Sequence, residues 1–269
     1  MNVRRGGGSR RSVDGADEDR DDRVPGQAPG TATGAALVVQ KPKRAVRGPD
    51  LPALPDTAEG EIASAAQLDA FRELRTRLLS MASGLGLTHF TTLVVALSAR
   101  SGASFVARNL AAAFTLQERR VAILVDCNLR HPTQHLALGS GPGEVGLFDY
   151  LERPNDAVDQ LVRPTGIPGL HLIPAGHVPS APREYFSSHH MRAVMAALRQ
   201  APCYVFLDGP PVKGSPDARI LAEHVDFVVL VVGYGMDSAD AIAQAAALFA
   251  PTKFAGVVFN ECPGGRRAT

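Results

Sequence analysis

Three apolar runs in this chain end in residues able to do chemistry. Leu93 to Leu97 empties through Ser98-Ala99-Arg100 into the small residues Ser101-Gly102-Ala103-Ser104 and then Phe105. Where such a loop enters a helix, backbone N–H groups converge on one point and suit a phosphate. The second run leads from Val125 into Asp126, and the third from Phe206-Leu207 into Asp208. A carboxylate just beyond a buried strand can hold a magnesium-bound water. An acid after one strand is common; two of them beside a small-residue loop are less so.

Other candidates carry less. His131 and His135 stand four apart, a spacing that could place two metal ligands on one helix face, but no third ligand is near. Gly139-Ser140-Gly141-Pro142-Gly143 follows no strong strand and contains a rigid proline, so it reads as a surface turn. His189-His190 reads as a solvated pair beside a helix start, and no Ser/His/Asp set has a spacing that would define a triad.

The elements that must position these residues alternate. Leu93–Leu97, Val121–Val125, Leu170–Ile173, Tyr204–Leu207, Phe227–Val232 and Phe254–Phe259 read as buried strands. Their near-continuous apolar character suits a parallel sheet covered on both faces. Val106–Leu116, His190–Arg199 and Ala239–Phe249 read as crossover helices. Ahead of them Leu68, Phe71, Leu74, Leu78 and Leu79 recur at helical spacing among Asp69, Arg72, Arg75 and Arg77, which predicts an amphipathic helix. The expected class is α/β with a doubly wound, mainly parallel sheet, whose ligands bind beyond the carboxyl ends of the strands.

With 269 residues and 45% hydrophobic side chains, one folded domain plus a tail is expected. Residues 1–60 are rich in Gly, Pro, Arg and Asp and read as a disordered tail, with Lys41, Lys43, Arg44 and Arg47 as a solvated basic cluster. The domain is placed at 61–262, followed by a short tail at 263–269. A net charge of +1 gives no field that would draw the chain onto nucleic acid. Cys127, Cys203 and Cys262 are odd in number and far apart, so they read as packing residues in a reducing compartment. No apolar run is long enough to span a bilayer, and Arg4, Arg5, Arg10 and Arg11 precede no apolar core of a secretory signal. A cytoplasmic protein, peripheral at a membrane only through a partner, is expected.

The order of segments from about Leu68 to Asn260 resembles the tyrosine autokinases of bacterial capsule and exopolysaccharide biosynthesis. Asp69-Ala70-Phe71-Arg72-Glu73-Leu74-Arg75 is similar to that family's Glu-x-x-Arg-x-x-Arg oligomerisation helix, with Asp69 for the Glu. Asp126-Cys127-Asn128-Leu129-Arg130-His131-Pro132 resembles its Asp-x-Asp-Leu-Arg-x-Pro motif, with Asn128 for the second Asp, and Asp208-Gly209-Pro210-Pro211 its Asp-x-Pro-Pro motif. Gly146-Leu147 with Asp149–Leu151, Ile173-Pro174-Ala175-Gly176 and Ser187-Ser188 before Met191 match further. The resemblance implies a P-loop NTPase fold of the MinD/ParA type, ATP with magnesium as cofactors, Asp126 and Asp208 as magnesium and catalytic acids, and Asn260 beside the nucleotide. It implies as partners an inner-membrane polysaccharide co-polymerase and further copies of the chain, joined through Asp69, Arg72 and Arg75.

The chain departs from the family at the first loop. Members carry Pro-Gly-x-Gly-Lys-Ser/Thr there, whose backbone and lysine cradle the phosphates and whose hydroxyl binds magnesium. Between Ser98-Ala99-Arg100 and Asn109-Leu110-Ala111 this chain is two residues shorter and has no lysine, and no Gly-Lys pair occurs anywhere in it. Phe105 falls at the hydroxyl position, unless the register slips to Ser104; Arg100 and Lys213 are the candidate substitute cations. No tyrosine follows Tyr234, so the family's C-terminal acceptor cluster is missing too. The expectation is a pseudokinase without cofactor that assembles or regulates a membrane chain-length or export protein. The alternatives are an active tyrosine kinase or ATPase with an atypical loop, and a partitioning ATPase, against which the Asp-x-Pro-Pro and Leu-Arg-x-Pro segments argue.

Overall fold

The structure is a computed structural model, and it describes residues 37–39, 65–116, 120–128, 131–139, 141, 143–154, 158–177 and 184–261. The apolar runs become strands of one eight-stranded sheet. In chain order these are β1 (Leu37–Val39), β2 (Thr91–Ala96), β3 (Ala122–Asp126), β4 (Arg163–Pro164), β5 (Leu170–Ile173), β6 (Tyr204–Asp208), β7 (Phe227–Gly233) and β8 (Phe254–Asn260). Across the sheet the order is β1-β8-β7-β2-β6-β3-β5-β4. Every pairing is parallel except that of β4 with β5.

Alternate side chains of the strands feed two cores. Val94, Leu124, Phe206 and Val229 pack on one face beneath α1 (Ala65–Gly84) and α2 (Ala103–Thr115), which contribute Phe71, Leu74, Leu110 and Phe114. Leu93, Val125, Leu207 and Leu230 face the other way. There they meet Phe148 of α4 (Leu147–Glu152), Met191 of α5 (His189–Gln200), Leu221 of α6 (Asp217–Glu223) and Ala245 of α7 (Ala239–Ala246). Such two-sided burial leaves no polar face, which is why the strands show no alternation in sequence. A short α3 (Gln134–Leu138) follows β3.

All six expected strands are present, Leu170–Ile173 at its expected bounds and the others with one or both ends displaced by at most two residues. Two short edge strands were not expected. β1 falls within the segment read as a disordered tail, yet Leu37, Val38 and Val39 pair with Val258, Phe259 and Asn260. Three apolar residues are too few to show a period, and the open edge of β8 supplies their hydrogen bonds. The rest of that segment, the basic cluster in it, Cys262 and the C-terminal tail lie outside the described residues. α7 stops at Ala246 rather than Phe249, although the N–H groups of Leu248 and Phe249 still donate to Ala245 and Ala246 carbonyls in a closing turn.

The topology fixes where a ligand would sit. From β2 the chain passes over β6 to reach β3 and β5 on one side, whereas β7 and β8 lie on the other. The loop after β2 therefore lies where the winding reverses, at the carboxyl end of the sheet, and crevices form at such reversals.

Candidate functional site

Between β2 and α2 the backbone turns sharply. Arg100 and Gly102 both have positive φ, 67° and 82°. At Gly102 a side chain is excluded twice over, because a β-carbon would also lie 2.0 Å from Asn260 Nδ2. That amide donates to the Ser101 carbonyl at 3.1 Å, so Asn260, at the end of β8, clasps the loop. Ser101 Oγ donates to the Ser98 carbonyl at 2.7 Å and closes the turn from within.

α2 starts at Ala103, and this settles how the loop faces the acids. The second helical residue is Ser104. Ser104 then faces Asp208, whose carboxyl its hydroxyl helps to hold ionised. Phe105 does not occupy the hydroxyl position, contrary to the expectation from the strand side. It borders the cavity but is buried, its ring 6.0 Å from that of Phe71 in the core beneath α1. Successive helical side chains diverge by about 100°, so Ser104 at the site requires Phe105 to point elsewhere.

The two aspartates stand in register on β3 and β6, and both are fully buried. Asp126 Oδ1 accepts from the Asn128 N–H at 3.1 Å, while Oδ2 accepts from the Thr133 and Gln134 N–H groups at 3.1 Å each. Asp208 Oδ2 accepts from Gln134 Nε2 at 2.7 Å, and that same amide donates to the Ser104 carbonyl at 3.0 Å. Arg108 Nη1 in turn donates to Gln134 Oε1 at 3.1 Å. Gln134 thus links both acids, the loop and α2. Sequence reading missed it, because a glutamine after Pro132-Thr133 has no spacing signal until α3 folds beneath β3.

Electrostatics at the pair are strained. Burial, and then the charge of Asp208, push Asp126 up to about 7 against the pull of three backbone N–H groups. Burial pushes Asp208 up to about 6 against hydrogen bonds from Gln134 and Ser104 and the charge of Arg108. The intervening Cys127 is wholly buried, and burial with the two carboxylates drives its thiol well up, which suits a packing residue and not a nucleophile. Cys203 is also a buried free thiol.

The segment after Asp208 runs beside β2: the N–H groups of Gly209, Val212 and Lys213 donate to Val94, Ala96 and Leu97 carbonyls. Gly209 must lack a side chain, since a β-carbon there would meet Leu93 Cδ1 and Val95 Cγ1 at 2.8 Å. This path brings Lys213 to the rim of a cavity of about 550 Å³ bounded also by Arg100, Gly102, Ser104, Asn128 and Asn260. Lys213 is already engaged, its Nζ 2.6 Å from Asp237 Oδ1. Asp237 also accepts from Ser98 Oγ at 2.8 Å, and Lys213 holds its carboxyl below the usual range.

ATP with magnesium fits this cavity at one end. Asp208 Oδ1 is buried with no hydrogen-bond partner, and with Ser104 beside it the donor set suits a hard cation. At the phosphate end the loop from Ser98 to Phe105 carries no lysine. Among the described residues, the lysine and arginine at the rim are Lys213, paired with Asp237, and the exposed Arg100.

The remaining sequence candidates separate. Asp69 and Arg72 pair with each other at 3.0 Å on the exposed face of α1, whereas Arg75 is half-buried and donates from Nη1 to the Ala113 carbonyl at 2.7 Å. His131 precedes α3 and His135 lies in it, and no cluster of metal-ligating side chains exists among the described residues. Gly139 caps α3 at φ 77°. His190 is half-buried, not solvated, with Nδ1 2.9 Å from the Leu151 carbonyl, while His189 is exposed. Among the described residues no helix is long and apolar enough to cross a membrane.

No family model matches the chain. Among curated proteins it is 32% identical over 161 residues to tyrosine-protein kinase YwqD of Bacillus subtilis, covering 59% of this chain and 67% of that one. It is 29% identical over 205 residues to tyrosine-protein kinase wzc of Salmonella typhi, covering 75% of this chain and 27% of that one. The chain thus spans about a quarter of the length of the Salmonella relative. Among solved structures, the chimerical protein CapA2B2 superposes with TM-score 0.69 at 23% identity, over 86% of this chain and 95% of that one. The septum site-determining protein MinD of Pyrococcus horikoshii, solved with Mg-ADP, gives 0.50 at 18% identity, over 63% of this chain and 69% of that one. These structures establish the fold, a doubly wound and mainly parallel sheet, and the Bacillus relative establishes the lineage: the chain belongs to the bacterial tyrosine-protein kinases.

Proposed function

We propose that this protein is a pseudokinase of capsule or exopolysaccharide biosynthesis, which assembles or regulates an inner-membrane chain-length or export protein from the cytoplasmic side. The observation that carries the reading is Ala103 in the first turn of α2, with the nearest lysine at the rim, Lys213, neutralised by Asp237. Removing one partner of a desolvated charge pair costs about 2–5 kcal/mol, roughly 30- to several-thousand-fold in affinity. Without a lysine at the phosphates, nucleotide binding falls by that order. Asp126 supports the same reading, since three backbone N–H groups already satisfy it as the organiser of the segment leading to α3.

In this role the surface of α1 carries the assembly function, with Asp69, Arg72 and Arg75 meeting further copies. The test is a titration with a fluorescent ATP analogue, with and without magnesium. The expected result is no saturable binding at micromolar concentrations in either condition; micromolar binding that requires magnesium overturns the proposal. Co-purification from cells identifies the membrane partner.

One observation favours a second reading, an active kinase or ATPase with an atypical loop. The unpartnered Asp208 Oδ1 beside Ser104 is a serviceable cation end. In that case Asp208, Ser104 and Asp126 would hold the magnesium ion, and phosphate transfer to a tyrosine of an added copy would be measurable.

A further inference from the structure

We propose that Lys213 is a phosphate-binding residue held in reserve by Asp237, so that the mouth of the cavity takes a phosphate group once this ion pair opens. Such a reserve has a use only where the loop lacks a lysine of its own, so it rests on the pseudokinase reading of the site.

The pair is built so that one partner can leave and the other cannot. The Asp237 side chain is only 3% exposed; its Oδ1 accepts from Ser98 Oγ at 2.8 Å and from Lys213 Nζ at 2.6 Å, and its Oδ2 is buried with no hydrogen-bond partner. Lys213 is pinned through its backbone, whose N–H donates to the Leu97 carbonyl at 3.1 Å, one residue before the loop begins at Ser98. Its side chain is 54% exposed and lines the cavity. A lysine stem is flexible and carries a compact charge, so Nζ can swing from Asp237 into the cavity while the main chain stays in place. An ion pair open to water on one side is weak, and a multiply charged phosphate competes well with a single carboxylate for the ammonium. Asp237 then keeps the Ser98 hydroxyl, and it stands one residue before Ser238, the N-cap of α7, where the helix dipole favours a negative charge.

The exchange alters the charge of the mouth. Among the described residues, the lysine, arginine and acidic side chains that line it are Lys213, Arg100 and Glu261, with His131 beside them. While Lys213 is paired with Asp237, Arg100 and Glu261 largely offset each other and a phosphate meets little net charge. With Lys213 turned inward a second cation joins Arg100, which no ion pair engages among the described residues. The cation comes from the segment after Asp208 and not from the loop after β2.

The phosphate group can belong to a nucleotide or be free, and calorimetric titration of the full chain with ADP and with inorganic pyrophosphate separates the two. Magnesium is left out so that Asp208 plays no part, and ionic strength is matched. Asp237→Asn keeps the shape and an acceptor for Ser98 but frees Lys213, and should bind pyrophosphate roughly fivefold or more tightly than the parent chain. Adding Lys213→Gln to that variant should abolish the gain. ADP binding Asp237→Asn more tightly than pyrophosphate assigns the site to a nucleotide; equal affinities assign it to free phosphate. Where Asp237→Asn does not fold, Asp237→Ser carries the same expectation. No gain over the parent chain, whether both bind alike or neither binds, or a gain that survives Lys213→Gln and so comes from the lost carboxylate charge alone, would overturn the proposal. The parent chain's own magnesium-dependent titration tests the pseudokinase reading, whereas the ratio of variant to parent tests the reserve lysine, so the two failures are distinct.

Discussion

Asp126 and Asp208 face each other across β3 and β6, fully buried and paired in register, with Gln134 bridging them: its backbone N–H donates to Asp126 Oδ2 and its side-chain amide to Asp208 Oδ2. Each binds its proton more tightly in the folded chain than in the unfolded one, where carboxyls titrate near 4. The folded state is therefore favoured most below that value, and the contribution is lost as pH rises through about 6 to 7. Asp208→Asn removes one titration and the charge that raises the other. Its stability should exceed that of the parent at pH 8 by about 1–3 kcal/mol and fall less between pH 4 and 8. Urea denaturation across this range checks both; a parallel loss in the two proteins contradicts the strained pair.

Gly102 tests how the loop is built. Gly102→Ala places a methyl against Asn260 Nδ2 at a positive φ, and should destabilise by about 1–3 kcal/mol. Asn260→Ala in the same chain removes the obstacle but not the φ strain. The double variant should recover part of the loss, which a double-mutant cycle by chemical denaturation measures.

Phe105 separates core from site. Truncation to alanine removes a buried ring packed on Phe71 and should cost about 3–5 kcal/mol in unfolding free energy. Ser104→Ala should cost far less, since its hydroxyl serves Asp208 and not the core. If Phe105→Ala left stability unchanged, its ring would belong to the cavity and not to the core.

Much of this was legible in the residues because the physics is local. Apolar runs too continuous for a half-exposed sheet declared buried parallel strands, and an acid at the end of such a run declared Asp126 and Asp208. Phe105 was read at the hydroxyl position because the loop was counted from β2, whereas the start of α2 packs its ring on Phe71 and turns Ser104 toward Asp208. Gln134 and the Ser98–Asp237–Lys213 set were hidden for another reason: their partners lie far away in sequence, Asp237 standing 139 residues from Ser98, and no periodicity reports a tertiary contact. β1 was hidden by its three residues.

Restoring the missing charge is a direct gain-of-function experiment. Ala103→Lys adds an ammonium at the start of α2, where it need not displace Lys213 from Asp237. Affinity for a fluorescent ATP analogue should rise by roughly 30-fold or more, and the gain should depend on magnesium through Asp208 and Ser104. A lysine that binds no nucleotide would show that the shortened turn, and not the lost charge, is what closes the site.

The tyrosines discriminate a further outcome, because all four lie among the described residues. Tyr185 is buried and donates to Glu152 at 2.8 Å, Tyr204 is buried among Phe90, Phe114 and Phe206, and Tyr150 is half-buried. Tyr234 is 58% exposed, in a turn closed by the Met236 N–H on the Gly233 carbonyl. A kinase can phosphorylate only a hydroxyl it can reach, so an intact tyrosine kinase with ATP should place phosphate on Tyr234 and leave Tyr185 and Tyr204 unmodified. Peptide mass spectrometry locates the site, and Tyr234→Phe should remove at least nine-tenths of the label. Label retained on Tyr185 or Tyr204 in that variant would mean that the chain opens far enough to release a core tyrosine, which its packing does not allow in the folded state.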